Sequence, residues 1–169
     1  ARAATGRAHV IACGYFGWLD WCSDAVGVPS SVQADITWVA FGDVEALNAA
    51  IAMHASDLAA VIVEPLVHDV APLPWLMAAR IGCDRTGAVL IFDEIKTAFR
   101  IRTGGVQELL GVTPDLTTIG KAMANGFPMS AVVGRVGVME HAVRTWISST
   151  AATESTGLAA TQAVCDWHD

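Results

Sequence analysis

Two apolar segments, each followed by a charged residue, constrain the fold of this chain most strongly. Residues 88–92 (AVLIF) are an uninterrupted apolar run that ends at the carboxylates of Asp93 and Glu94. Residues 116–119 (LTTI) are a shorter strand-like segment, followed after one glycine by Lys121. Continuous runs of this kind are typical of strands buried on both faces of a parallel sheet. Because such sheets hold ligands at the carboxyl ends of their strands, we expect an acid and an amine at one rim.

The remaining segments predict the same architecture. Further strands are expected at residues 9–13, 36–41, 59–64 and 130–134, and helices after Asp43, from Pro72 to Gly87 and at residues 106–111. In the helix that starts at Pro72, the spacing of Leu73, Leu76, Met77 and Ile81 predicts one apolar stripe. Strands and helices that alternate in this way predict an α/β fold. We expect a three-layer sandwich with a mostly parallel sheet between helices.

An Asp and a Lys at one rim allow two interpretations. Asp93 and Lys121 can form a structural ion pair, which is a common arrangement. Alternatively, they can form a cofactor site, in which the lysine forms a Schiff base with the aldehyde of pyridoxal phosphate (PLP). The carboxylate would then keep the pyridine nitrogen protonated, so that the ring can accept electrons. The spacing of the two residues alone does not decide between these interpretations.

A longer match favours the cofactor site. The segments LIFDEIKTAFR (90–100) and GVTPDLTTIGKAMANGFPMSAVVGR (111–135) resemble the class III aminotransferases of PLP fold type I. Within that family they are most similar to the group around glutamate-1-semialdehyde 2,1-aminomutase. The resemblance implies the large domain of a PLP-dependent transferase. It also implies that Lys121 is the Schiff-base lysine, that Asp93 is the partner of the pyridine nitrogen, and that Ile95 contacts one face of the ring.

The resemblance implies two further cofactor contacts near strand ends. Tyr15 matches an aromatic residue that stacks on the ring face opposite Ile95, although from the pattern alone such a residue is usually part of a core or an interface. Phe16 stands where the family commonly has His. Glu64 matches a carboxylate near the phenolic oxygen of the cofactor, although a carboxylate at a strand end can also be simply solvated. Lys96 stands where Gln or Met is frequent, and we expect it to pair with Glu64.

A contact from a second subunit is also implied. Thr150 matches a residue whose hydroxyl and amide bind the cofactor phosphate of the neighbouring subunit, which predicts a homodimer. Ala152 and Thr153 replace glycines of the family pattern. Without the resemblance, the Ser/Thr-rich segment 147–160 reads as a loop that caps a helix.

The resemblance covers only the central part of a family member. The main phosphate-binding segment of the family would precede residue 1, and the small domain would follow residue 169. We therefore expect residues 1–169 to be the central part of the PLP-binding large domain, with the N-terminal and C-terminal small-domain segments absent. Such a fragment is expected to be inactive by itself.

The implied function is that of a PLP-dependent aminotransferase. Through Lys121, it would transfer an amino group between an amine or amino acid and a keto or aldehyde acceptor. Transfer within one substrate, as in the aminomutase, is the alternative, because the contacts that separate the two reactions lie outside these residues. A non-catalytic α/β binding domain or inactive fragment, with Asp93 and Lys121 as an ion pair, is a further alternative.

Composition excludes several other classes of protein. The net charge of −7, without a basic cluster, argues against nucleic-acid binding, because phosphates demand concentrated Lys and Arg. The apolar fraction of 53% fits a chain buried in a larger assembly, since no apolar run has the roughly 18 residues of a membrane span. Four cysteines without a CxxC pair predict free thiols and a cytoplasmic location, which the absence of a signal-peptide pattern at ARAATGR supports. The histidine spacing predicts no zinc site.

Overall fold

A computed structural model describes residues 1–23, 25–152 and 154–168 of the chain. Six strands are found in these residues: β1 (His9–Cys13), β2 (Ile36–Trp38), β3 (Leu58–Val63), β4 (Val89–Asp93), β5 (Leu116–Ile119) and β6 (Ala131–Gly134). They form one sheet in the order β2-β1-β3-β4-β5-β6. All neighbours from β2 to β5 are parallel, and only β6 is antiparallel to β5. The prediction of a mostly parallel α/β sheet is confirmed.

Helices occupy most of the connections. The α-helices of the described residues are α1 (Arg2–Thr5), α2 (Ser30–Gln33), α3 (Val44–Met53), α4 (Leu73–Thr86), α5 (Gly105–Leu110), α6 (Val136–Met139) and α7 (Ser155–His168). Short 3₁₀ helices cover Asp20–Cys22, Lys121–Ala124 and Glu140–Arg144. None of the helices in the described part of the chain is long and apolar enough to cross a membrane.

Helix α3 begins and helix α4 ends where the sequence predicts. Asp43 Oδ1 accepts a hydrogen bond of 2.9 Å from the amide of Ala46, which satisfies a free donor in the first turn of α3. Gly87 follows α4 in the left-handed region, with φ of 71°. A residue without a side chain adopts this conformation at little cost, so the chain can leave the helix and enter β4 directly.

The core lies mainly on one face of the sheet. There, Ile11, Val61, Val63, Leu90 and Phe92 of the three central strands pack against α3 and α4. The opposite face carries a smaller cluster on β1, β3, β4 and β5, covered in part by Val138 and Met139 at α6. The sheet is thus held rigidly between its helices, and the strand ends that carry the charged residues are fixed in position.

Two details of the sequence prediction are wrong. Of the predicted stripe on α4, only Leu76 is buried, whereas Leu73, Met77 and Ile81 are exposed. The buried face consists instead of Trp75, Leu76, Ala79, Gly82 and Cys83. At Gly82 the backbone of α4 approaches Ile51 of α3 so closely that a Cβ atom would lie 2.5 Å from Ile51 Cδ1. On this side α4 packs against α3 and against the central strands.

Strand β2 is also shorter than predicted. It ends at Trp38 rather than at residue 41. β2 is an edge strand whose only partner is β1, and the register pairs Trp38 with Ala12, one residue before the end of β1. Beyond that point the chain has little strand to pair with, and it turns at Gly42, where φ is 78°.

Candidate active site

The carboxyl ends of the central strands surround a small cavity of about 160 Å³. Its lining residues are Tyr15, Phe16, Gly17, Glu64, Asp93, Ile95, Lys96 and Lys121. Of three much larger cavities, those of about 500 and 830 Å³ have neither a carboxylate nor a lysine in their lining, and that of about 380 Å³ has Asp84 and Asp115 but no lysine and no aromatic ring. The small cavity therefore combines acids, amines and an aromatic ring in a way that these larger cavities do not.

The structure brings together five of the six residues that the sequence singled out. Tyr15, Glu64, Asp93, Ile95 and Lys121 all line this cavity, at the rim where the strand pattern placed Asp93 and Lys121. This proximity does not by itself assign a role to any of them.

The sixth residue, Thr150, lies elsewhere. It is exposed, in a turn before α7, and it is not part of the cavity lining. Thr153, the departure from the family pattern noted beside it, lies outside the described residues. The helix α7 is capped by a carboxylate rather than a hydroxyl, since Glu154 accepts hydrogen bonds from the amides of Thr156 and Gly157. The Thr156 hydroxyl, followed by the amides of Gly157 and Thr156, lowers the pKa of Glu154.

Asp93 is the last residue of β4, and its side chain is fixed at the strand end. Its Oδ1 accepts a hydrogen bond of 3.0 Å from the amide of Ile95. Burial raises the pKa of the Asp93 carboxyl, and the nearby charge of Glu64 adds to this effect, while the Ile95 amide and Lys121 oppose it. A carboxylate that is costly to ionise here gains most from a cation placed against it.

Lys121 has an unusual backbone conformation. Its φ is 47°, in the left-handed region that residues other than glycine rarely adopt and that is often found at functional sites. Lys121 is the first residue of the 3₁₀ helix Lys121–Ala124, which ends at Asn125 with φ of 45°. The passage after Lys121 is thus a defined helical turn.

Glu64 connects the ends of three strands. Its Oε1 lies 2.5 Å from Lys96 Nζ, so the predicted Glu64–Lys96 pair is confirmed. Its Oε2 accepts a hydrogen bond of 2.7 Å from the amide of Tyr15. Lys96 Nζ also lies 5.8 Å from the centre of the Tyr15 ring, within the range of a cation–π contact. Because the Glu64 side chain is only 3% exposed, this pair holds Tyr15 and Lys96 at the cavity wall.

Sequence reasoning missed the role of Glu94. This residue is fully buried, and its carboxylate accepts hydrogen bonds from the amides of Val106 and Gln107, of 3.0 and 2.9 Å, and from the Thr97 hydroxyl. It thereby caps α5 and fixes the loop that follows Asp93. The sequence contained an indication of this role. Helix α5 begins after Gly104, which has no side chain to cap it, so a cap from elsewhere in the chain was to be expected.

A second group of titratable residues lies at the opposite edge of the sheet. One ligand atom each of His9, His54 and Asp57 lies within 4.8 Å of the others. The two imidazole rings are stacked, with centroids 3.4 Å apart and planes at 5°. Lone pairs in two parallel rings cannot both meet one ion unless a ring turns. The spacing rules did not identify this cluster, because His9 lies at the start of β1 while His54 and Asp57 lie in the turn between α3 and β3.

The lining of the small cavity fits a flat, cationic heteroaromatic group that carries a carbonyl. Tyr15 and Ile95 provide an aromatic and an aliphatic wall. Asp93 provides a buried carboxylate suited to a ring cation, and Lys121 provides a primary amine that can react with a carbonyl carbon.

Comparison with known proteins agrees with this geometry. The profile of the family described as aminotransferase class-III matches residues 30–165. The chain is 39% identical to the 3-aminobutyryl-CoA aminotransferase of Cloacimonas acidaminovorans over 95% of its own length and 41% of that protein. It is 38% identical to the glutamate-1-semialdehyde 2,1-aminomutase of Rhodopirellula baltica over 83% of its length and 36% of that protein.

Solved structures give the same result. The FumI protein of Sphingopyxis sp. MTA144, solved in its PLP internal aldimine form, superposes with a TM-score of 0.93 at 29% identity. That match covers 98% of this chain and 42% of FumI. An omega-transaminase from Sphaerobacter thermophilus superposes with a TM-score of 0.87 at 29% identity, covering 98% of this chain and 45% of that one.

The fold is therefore that of the PLP-dependent transferases of fold type I. The chain belongs to the class III aminotransferase family. It spans about two fifths of the length of the relatives it matches.

Proposed function

We propose that this chain carries the PLP site of an aminotransferase, with Lys121 as the reacting amine. The observation that carries the proposal is the meeting of Asp93 and Lys121 in one cavity at the ends of β4 and β5. Solved relatives that share this fold are described as PLP-bound. Bound PLP supplies an aldehyde that takes up an amine and a pyridine ring that accepts electrons from the substrate.

Each side chain of the cavity has a separate role in this proposal. The Asp93 carboxylate holds the proton of the ring nitrogen, which keeps the ring cationic and relieves the cost of ionising a buried acid. Tyr15 and Ile95 hold the ring between them. Glu64 binds at the ring edge near the phenolic oxygen, with its own charge balanced by Lys96. Lys121 Nζ would move a proton from the substrate carbon that bears the amino group to the carbon of PLP that carried the aldehyde.

A second subunit completes the site in this proposal. Thr150 is exposed in a turn away from the cavity, which suits a residue that binds the cofactor phosphate of a neighbouring subunit. The protein would then be a homodimer that acts on amine and keto substrates.

A cytoplasmic location fits its four free cysteines. Burial raises the pKa of Cys13 to about 11 and that of Cys83 to about 12, so these two thiols are unreactive.

Transfer of the amino group within one molecule is the second candidate. It is favoured by the aminomutases of Rhodopirellula baltica and Ignicoccus hospitalis, which are 38% and 42% identical to the chain. The two reactions differ in what they require. An aminotransferase needs a separate acceptor, whereas an aminomutase converts a single amino aldehyde. Turnover of one substrate without any added keto acid would therefore select the second candidate.

Spectroscopy tests the proposed cofactor site. On addition of PLP, the chain is expected to develop a visible absorption band that Lys121→Ala lacks, because only a lysine joined to the aldehyde gives that chromophore at the site. Lys96→Arg is the matched control, since it removes the other cavity lysine but keeps its charge, and it should retain the band. An unchanged band in Lys121→Ala would overturn the proposal.

A further inference from the structure

The chain contains only two lysines, and both lie in the same cavity. They are Lys96 and Lys121, and both are among the eight residues that line the space next to Asp93. An aldehyde bound there meets two primary amines of the same chemical type. If the proposed function is right, something must decide which of the two amines reacts.

The surroundings of the two amines differ. Lys96 Nζ lies 2.5 Å from the buried carboxylate of Glu64 and 5.8 Å from the centre of the Tyr15 ring. Both contacts engage the charge of the Lys96 ammonium group. Lys121, in contrast, forms no ion pair within 4 Å with any residue that the structure describes, although its charge acts on Asp93 from a greater distance, and it is exposed.

Only the neutral amine attacks a carbonyl. The nitrogen bonds to the carbonyl carbon, and the carbonyl oxygen leaves as water together with the two N–H protons of the amine. An ammonium group must first lose a proton, and for Lys96 that would leave Glu64 buried without its partner. We propose that the Glu64–Lys96 pair acts as a selector, which withholds Lys96 and so directs the aldehyde to Lys121. In this assignment Glu64 is a positioning residue that acts through Lys96.

Trapping with borohydride tests the selector, which rests on the proposed PLP site. After reduction in the presence of PLP, trypsin cannot cut at a modified lysine, so an adduct on Lys121 appears in peptide 103–135 and an adduct on Lys96 in peptide 86–100. In the unaltered chain, the Lys121 adduct should exceed the Lys96 adduct by about tenfold or more, the order expected for a hydrogen bond to a charged group.

The variant Glu64→Gln should lower this ratio by a similar factor. Gln can still accept the hydrogen bond from Tyr15 but cannot hold an ammonium by charge. The exposed Glu45→Gln, in the first turn of α3, is the matched control and should leave the ratio unchanged. Comparable adducts on both lysines of the unaltered chain would overturn the selector. So would an unchanged ratio in a Glu64→Gln protein with native circular dichroism.

A second measurement needs neither PLP nor a variant that folds. Formaldehyde with cyanoborohydride methylates lysines through the same carbonyl chemistry. Folding should slow methylation at Lys96 about tenfold more than at Lys121, with each rate compared to that of the chain unfolded in urea. Equal slowing of the two would contradict the selector. If methylation shows this preference but PLP forms no adduct, the proposed function fails and the selector stands. If PLP forms an adduct but methylation shows no preference, the proposed function stands and the selector fails.

Discussion

Asp93 pairs in register with Thr118 across the two parallel strands β4 and β5. The end of β4 therefore lies beside a residue only three positions before Lys121. Residues that are far apart in the sequence come together because parallel strands align their carboxyl ends. The candidate site is thus a consequence of strand register.

Asp93→Asn should weaken PLP binding but stabilise the cofactor-free chain near neutral pH. Asn still accepts the hydrogen bond from Ile95, but it has no charge with which to hold a proton on the ring nitrogen, and it avoids the cost of a buried ion. We expect the amount of PLP bound at limiting concentration to fall by about tenfold or more. Absorbance titration with PLP and urea denaturation without PLP measure the two effects.

The stability gained by Asp93→Asn should depend on pH in a definite direction. Burial and Glu64 raise the pKa of Asp93 above its ordinary value of 3.8, so the folded chain favours the protonated form. The cost of ionisation is absent below pH 3.8 and grows as the pH rises through the folded-state pKa. The stability gained by Asp93→Asn should therefore increase with pH over this window. A gain that is the same at all pH values would contradict it.

Gly105→Ala should disrupt the loop that follows Asp93. Gly105 has φ of 78°, and an added Cβ would collide with the buried carboxylate of Glu94, which caps α5. We expect a loss of about 1–3 kcal/mol in the free energy of unfolding. Gly137→Ala, at a helical position with open space around it, is the control and should change stability by less than about 1 kcal/mol. Denaturant titration of both variants checks the difference.

Asp115 stabilises the opposite end of the sheet. It is 4% exposed, accepts a hydrogen bond from the Leu90 amide, and contacts Arg80 and Arg135 at 3.0 and 2.8 Å. Asp115→Ala should cost about 3–5 kcal/mol, because it leaves the buried Leu90 amide and the largely buried Arg80 without their partner, whereas Arg135 is exposed. Asp84→Ala removes an exposed carboxylate that also binds Arg80, and it should cost at most about 1 kcal/mol. Similar losses in thermal or urea unfolding would contradict the distinction.

The Asp115 prediction has its own pH window. Burial opposes ionisation, but the Leu90 amide and the guanidinium groups of Arg135 and Arg80 outweigh it and hold the pKa of Asp115 below 3.8. This stabilisation is fully present above pH 3.8 and is lost as the pH falls through the lowered pKa. The gap in stability between the unaltered chain and Asp115→Asn should therefore shrink only under strongly acidic conditions.

His9 should make the fold sensitive to mild acid. Its pKa is lowered by burial and by His54, and also by Arg2, against the opposing charges of Asp57 and Asp35. The neutral form is favoured in the folded chain, so stability is complete above pH 6.5 and falls as the pH drops below that value. His9→Gln should reduce this slope in urea denaturation between pH 5 and 7. The exposed His68→Gln should leave it unchanged, and equal slopes in all three proteins would count against the assignment.

The strands were predictable from the sequence because short continuous apolar runs such as AVLIF are typical of buried strands. The rim was predictable for the same reason, since Asp93 ends one run and Lys121 follows another. The family resemblance singled out the other cavity residues Tyr15, Glu64 and Ile95.

Other features depend on contacts that no local pattern encodes. The buried face of α4 is the one that packs against α3 and the central strands, whereas Leu73 and Met77 remain exposed. Glu94 reaches α5 across a loop, and the partners of Asp115 come from a helix and from the turn beyond β6. Periodicity reports which residues prefer burial, but it does not report which distant partner covers them.

The most direct test of the central claim is borohydride reduction of the folded chain with PLP, followed by tryptic mapping. The account predicts one pyridoxyl group, found in peptide 103–135 on Lys121 and reduced at least tenfold in Asp93→Asn at limiting PLP, because the carboxylate and the amine serve one site. An adduct on Lys96 alone, or none in a chain with native circular dichroism, would contradict it.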